Sequence, residues 1–182
     1  SAQYGFASQF LANMTPNPAT IAEFRLDRDA GKIQKATAKI LTAASPDLSA
    51  FYRRGGKLIL YHGWNDAAIP AGSSINYFQA VKSKMGAKTD SFLRLYLLPG
   101  VQHCGGGPGL GLAGSSVDDG ADPARNPGTA VARWVEQGVA PGVLISSKPP
   151  NRTRPVCPYP QVARYQGVGN PDDAASHRCQ AP

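Results

Sequence analysis

The sequence predicts an α/β fold, and three observations carry that prediction. Two short apolar runs, KLILYHG (57–63) and FLRLYLLPG (92–100), have the length and punctuation of buried strands. Each is followed by a polar or glycine-rich loop and then by a segment with helical spacing. The resulting order of strand, helix, strand, helix is that of a parallel sheet with packed helices, because parallel neighbours need a crossover that covers the sheet face. The chain has 182 residues, 42% of them apolar and 17% charged, enough for a substantial core and far from the composition of a disordered chain.

Along the chain, KIQKATAKILTAA (32–44) places Ile33, Ala36, Ile40, Leu41 and Ala44 on one helical face before Pro46, which predicts an amphipathic helix. PDLSAFYRRGG then connects to the first strand, and WNDAAIPAG after that strand reads as a loop. SSINYFQAVKSKM (73–85) spaces Ile75, Phe78, Val81 and Met85 as a helix, with a serine as N-cap and Gly86 as its stop. After the second strand comes a long glycine- and proline-rich connection, 105–128. Asn126 and Pro127 predict the cap and first residue of a helix burying Val131, Trp134 and Val135 before Gly138. The tail from residue 149 onward has little periodicity and reads as irregular.

Charge and composition exclude several classes. The formal charge of +7 comes from scattered lysines and arginines without aromatics among them, which argues against a nucleic-acid partner. The longest apolar runs fall far short of the roughly 20 residues that cross a bilayer, and SAQYGFASQF lacks the pattern of a signal peptide. Three cysteines are an odd number. Cys157 and Cys179 flank a poorly patterned tail where a disulfide would offset chain entropy, and their pairing leaves Cys104 alone.

Ligand chemistry in parallel sheets sits past the carboxyl ends of the strands. Asp66 follows the first strand and His103 the second, so both are expected at one edge of the sheet. There an aspartate fixes the imidazole tautomer and the imidazole takes a proton from a serine hydroxyl. On pattern alone, an aspartate and a histidine in such loops are more often turn or capping residues than catalytic ones. No G-x-S-x-G occurs, and the pairs Ser73–Ser74, Ser115–Ser116 and Ser146–Ser147 read as a helix cap, a loop and a surface segment. A triad would therefore need a serine from elsewhere. His62, beside Gly63 at a strand end, reads as a structural histidine held by hydrogen bonds rather than a second base. Trp64 and Ile69 flank Asp66 and offer either an apolar wall for an aromatic acyl group or packing for the neighbouring helix.

GLGLAG (109–114) matches a dinucleotide fingerprint in letters, but no strand leads into it. The histidines and cysteines have no zinc-ligand spacing, so no metal site is expected among them. Asp118, Asp119 and Asp122 read as a solvated loop.

GGKLILYHGWNDAAIP, LYLLPGVQHCGGGPG and RTRPVCPYPQVARYQG together resemble the C-terminal part of the tannase and feruloyl esterase family, from about residue 24 to the C-terminus. That resemblance implies a secreted or periplasmic α/β-hydrolase cleaving esters of phenolic acids, with Asp66 and His103 as catalytic aspartate and histidine. It implies that Cys104 is half of a disulfide to a cysteine beside the catalytic serine, a partner absent from this chain. On the same resemblance, residues 1–30 are the end of a lid domain and its connection, and residues 31–182 are the C-terminal part of the hydrolase core. A calcium ion would belong to the lid outside these residues, and no cofactor is expected within the chain.

The expected partners are a small aromatic ester and an N-terminal serine-bearing segment or another chain, and the expectation is that the chain alone is inactive. A sheet torn from a larger one exposes an edge, so an isolated product is expected to aggregate, oligomerise or bind its counterpart. The alternative is a non-catalytic hydrolase remnant serving as a binding or interaction module.

Overall fold

The computed structural model describes residues 2–17, 19–103, 105–112 and 121–182. The chain divides into two compact units, residues 1–45 and 46–182.

The first unit holds two helices, α1 (Ala2–Asn13) and α2 (Leu26–Leu41). Between them Glu23 accepts hydrogen bonds from both the amide and the hydroxyl of Thr20, each 2.8 Å. Helix α2 starts and stops earlier than its periodicity predicts. Asp29 reaches back to accept from the Arg25 amide at 2.9 Å, and Asp27 and Asp29 lie in the first turn, where carboxylates suit the positive end of the helix dipole. At the other end Thr42 is already extended, which leaves Ala44 outside the helix. No residue of α2 is buried: of the apolar stripe that marks the helix, Ile33 is half-buried while Ala36, Ile40 and Leu41 are exposed.

In the second unit, α3 (Ser49–Arg53) leads into β1 (Leu58–Gly63). Helix α4 (Ala71–Met85) and a 3-10 turn at Gly86–Ser91 carry the chain back to β2 (Leu93–Leu98). Strands β1 and β2 pair in parallel from Leu58 opposite Leu93 to Gly63 opposite Leu98. Strand β2 is covered on both sides, as expected of a parallel strand between helices. Leu93 and Leu95 pack with Phe78 and Val81 of α4, and Phe92 joins them. Tyr96 and Leu98 pack with Ala130 of α5 (Pro127–Gln137), Leu144 and Val156. Within the described residues the ladder of β1 is with β2 alone.

Helix α4 begins two residues before the serine read as its cap. Pro70 occupies the cap position without a side-chain bond, and the Ser74 hydroxyl is instead taken by His62 at 2.7 Å. Gly86 ends the helix at φ +63°. In α5 the Asn126 side chain accepts from the Gly128 and Thr129 amides, as its sequence suggests, and Gly138 ends it. Its buried face, however, is Ala130 and Trp134; Val131 is half-buried and Val135 exposed, because the stripe centres on the 130/134 pair and Val135 lies a further 100° round the helix. Trp134 also receives Lys57 and Arg94 at 5.4 and 5.1 Å from its ring centre.

The tail is not irregular. Strands β3 (Gly111–Leu112), β4 (Leu144–Lys148) and β5 (Arg152–Val156) form an antiparallel sheet in that order. Strands β6 (Val162–Tyr165) and β7 (His177–Gln180) form a second antiparallel pair. Ser146 is therefore buried in β4, its hydroxyl donating to the Arg154 carbonyl at 3.1 Å, and is not a surface residue. Between β5 and β6 the chain lies along β2, where the Tyr159 amide donates to the Leu95 carbonyl at 2.8 Å. Cys157 and Cys179 are joined by a disulfide with Cα atoms 5.6 Å apart, which ties β7 back to the end of β5.

Candidate active site at the end of the parallel pair

Immediately beyond the last rung of the β1–β2 ladder the two exit loops are stitched together. The Trp64 amide donates to the Leu98 carbonyl and the Asn65 amide to the Val101 carbonyl, both at 2.9 Å. Gly63 has the reason for its lack of a side chain here. A Cβ on it would fall on the carbonyl oxygens of Val101 and Gln102, so only glycine allows the loops this approach. Gly109 plays the same part further on, its backbone lying against the Pro99 carbonyl while its amide donates to Gly100 at 3.0 Å. The glycine-rich segment is thus folded back on itself, with His103 at its outer end.

The Asp66 side chain is only 2% exposed and every acceptor direction is used. Oδ1 accepts from the amides of Ala68 and Ile69 at 2.8 and 2.9 Å. Oδ2 faces His103 Nδ1 at 2.8 Å and His62 Nε2 at 3.2 Å. The Ile69 amide above all, then His103 and the Ala68 amide, hold this carboxyl well below the usual carboxylate range against the opposing effect of its burial. An ionised carboxylate only accepts, so the ring nitrogen of His103 that faces it carries the proton. Nε2, on the other side of the ring, keeps its lone pair on a side chain that is 55% exposed.

His62 also meets the Ile69 carbonyl through Nε2 at 2.9 Å and Ser74 Oγ through Nδ1 at 2.7 Å. Trp64 and Ile69 are 52% and 48% exposed. Trp64 lines a cavity of about 310 Å³ with Leu97, Pro99, Tyr159, Pro160 and Val162. Ile69 meets Asp66 and His62 through its backbone, whatever its side chain does. Cys104, Asp118 and Asp119 lie outside the described residues. Asp122 accepts from the Ala124 amide and pairs with Arg125. Among the described residues no three histidine, cysteine or acidic side chains gather as metal ligands. No helix among them is long and apolar enough to cross a membrane.

Sequence reasoning missed the partnership of Ser74 with His62. The signal for the Asp66 turn was legible, since an aspartate followed two and three residues later by free amides is a common way of closing a loop. Ser74 gave no comparable signal, because a serine near a helix start is ordinarily a cap.

A parallel pair with covering helices that delivers an aspartate and a histidine to one edge is an α/β fold of the hydrolase class. The chain belongs to the tannase and feruloyl esterase family, which matches residues 5–180. It is 38% identical to a mono(2-hydroxyethyl) terephthalate hydrolase of Piscinibacter sakaiensis, over 93% of this chain and 28% of that protein. It is 40% identical to a probable feruloyl esterase of Arthroderma benhamiae, over 78% of this chain and 26% of that one. The crystal structure of feruloyl esterase B from Aspergillus oryzae superposes with a TM-score of 0.81 at 29% identity, covering 94% of this chain and 36% of that chain. The chain thus spans between about a quarter and two fifths of the length of these proteins.

Proposed function

We propose that this chain supplies the acid and base of a serine-type carboxylic ester hydrolase acting on esters of aromatic, phenolic acids, and that the nucleophilic serine comes from polypeptide outside these 182 residues. The observation that carries the reading is the 2.8 Å contact between buried Asp66 Oδ2 and Nδ1 of exposed His103. Asp66 keeps His103 in the tautomer whose Nε2 lone pair takes the proton of a serine hydroxyl as its oxygen attacks the ester carbonyl. The imidazolium so formed is steadied by Asp66 and gives its proton to the leaving alcohol. Water then repeats the sequence on the acyl-enzyme, with His103 again as base.

Three features support the larger assembly. The outer edge of β1 has no ladder partner among the described residues, which suits further strands of a larger sheet. The relatives are longer by a factor of about three. Cys104, beside His103, is placed in sequence to tie the histidine loop to the segment bearing the serine. The Cys157–Cys179 disulfide suits a secreted or periplasmic protein.

The test is to express the chain alone and together with the serine-bearing segment and to follow hydrolysis of a feruloyl or p-nitrophenyl ester. The expected result is turnover by the pair only, falling about 10⁴-fold in Asp66→Asn, which leaves the geometry but removes the tautomer control. Turnover by the lone chain that survives loss of His103 refutes the assignment, and the absence of turnover by the pair favours a binding remnant.

A further inference from the structure

His62 is the fourth donor on the Asp66 carboxylate, and its own chemistry is fixed from both sides. Nε2 lies 2.9 Å from the Ile69 carbonyl and 3.2 Å from Asp66 Oδ2. Both are acceptors, so Nε2 carries the ring proton and shares it between them. Nδ1 of the neutral ring then has only a lone pair, and Ser74 Oγ at 2.7 Å is the hydroxyl that donates to it. The Ser74 hydroxyl, the His62 ring, Asp66 Oδ2 and the His103 ring thus form one line of hydrogen bonds running from α4 to the exposed nitrogen at the sheet edge.

Geometry decides what His62 does in that line. It is on β1, four residues before Asp66, and its ring is largely buried, so it is anchored to the sheet where His103 stands on a loop. Oδ1 is fixed by the Ala68 and Ile69 amides, but these alone leave Oδ2 held by the exposed His103 ring only. We propose that His62 is a positioning residue: its Nε2–H holds Oδ2 and the Ile69 carbonyl together, so that the carboxylate presents one oriented lone pair to His103 Nδ1. This rests on the hydrolase reading of Asp66 and His103. His62 itself touches no reacting atom, since its two nitrogens are both engaged within the fold.

The experiment exploits the histidine count, which is three. With ¹⁵N-labelled histidine in the 182-residue chain, long-range proton–nitrogen spectra identify which nitrogen of each ring is protonated. Above the imidazole titration, His62 is expected on Nε2 and His103 on Nδ1. Two variants separate the contacts of His62. In His62→Asn the shorter amide retains the reach to Ser74 and loses the donor to Asp66, and His103 is expected to populate both tautomers. In His62→Gln the longer amide donates at the Nε2 position, and His103 is expected to return to the Nδ1–H form.

Joined to the serine-bearing segment, His62→Asn should lower kcat about 10²-fold at little changed KM, as expected when a catalytic group loses its alignment, with His62→Gln recovering most of it. A purely structural His62 would leave the His103 tautomer fixed in both variants. That result, or a wild-type His62 protonated on Nδ1 alone, overturns the proposal, and the wild-type spectrum decides this even where a variant does not fold. Ester hydrolysis that proves independent of His103 overturns the hydrolase reading instead, while the spectra still report on the His62–Asp66 contact.

Discussion

Replacing Gly63 by alanine tests the way the two exit loops are held. The added methyl has no free volume, because the position it would take is occupied by the Val101 and Gln102 carbonyls, which are backbone and cannot rotate aside. The loop after β2 must move, straining the Asn65-to-Val101 and Trp64-to-Leu98 hydrogen bonds, both 2.9 Å. Overpacking costs about 1–3 kcal/mol, and each backbone hydrogen bond lost adds about 0.5–1.5 kcal/mol. With both bonds lost, a total of roughly 2–6 kcal/mol corresponds to a fall in Tm of about 4–24 °C for a chain of this size. Because His103 rides on the displaced loop, a shift of about 1 Å also lowers hydrolysis by about 10²-fold in the chain joined to its serine-bearing segment. Thermal unfolding followed by circular dichroism checks the first, and turnover of a p-nitrophenyl ester the second. Gly72→Ala is the control, since beyond its chain neighbours and the backbone of its own helix no atom lies within 4 Å of the methyl it would add. A Gly63→Ala protein that melts with the wild type and keeps its rate would refute the close-approach argument.

Three other outcomes follow from the fold. Trp134→Ala removes the largest fully buried side chain among the described residues, the ring that receives Lys57 and Arg94, and should cost about 3–5 kcal/mol by urea titration. Reducing the Cys157–Cys179 bridge opens a loop with a sequence separation of 22 residues and should cost about 3 kcal/mol, seen as a lower denaturation midpoint in reductant and no change in a Cys157→Ala/Cys179→Ala protein. Asp66, whose carboxyl is depressed in the fold, contributes stability above its unfolded pKa of about 3.9 that is lost as pH falls below it. The stability of the wild type should therefore drop through the acid range more steeply than that of Asp66→Asn, measured as Tm between neutral and strongly acidic pH.

The parallel pair was legible because strands covered on two sides are almost wholly apolar and too short for helices, and its exit loops located Asp66 and His103. Less legible were elements whose partners lie far off in sequence. Strands β4 and β5 carry Ser146, Ser147, Arg152 and Arg154 and lack a clean alternation, since the face that sends Leu144 and Val156 into the core also carries Ser146, Arg152 and Arg154, both arginines paired with Asp172. Helix α2 shows the reverse failure, a clear amphipathic stripe with none of its residues buried. At the site, the acid and base were readable by position, whereas Ser74 was assigned to a cap because only the folded chain brings His62 across to claim its hydroxyl.

The register of β1 against β2 has a consequence for how such a site tolerates change. Gly63 and Leu98 face each other on the last rung, and the acid and base depart three and five residues later. Their separation is therefore governed by the width of one step across the sheet and by the two short exits, and not by the span of polypeptide between them. Helix α4 and the turn after it can lengthen, shorten or change their outer surface without altering the meeting of the two groups, while a single-residue insertion in either exit would part them.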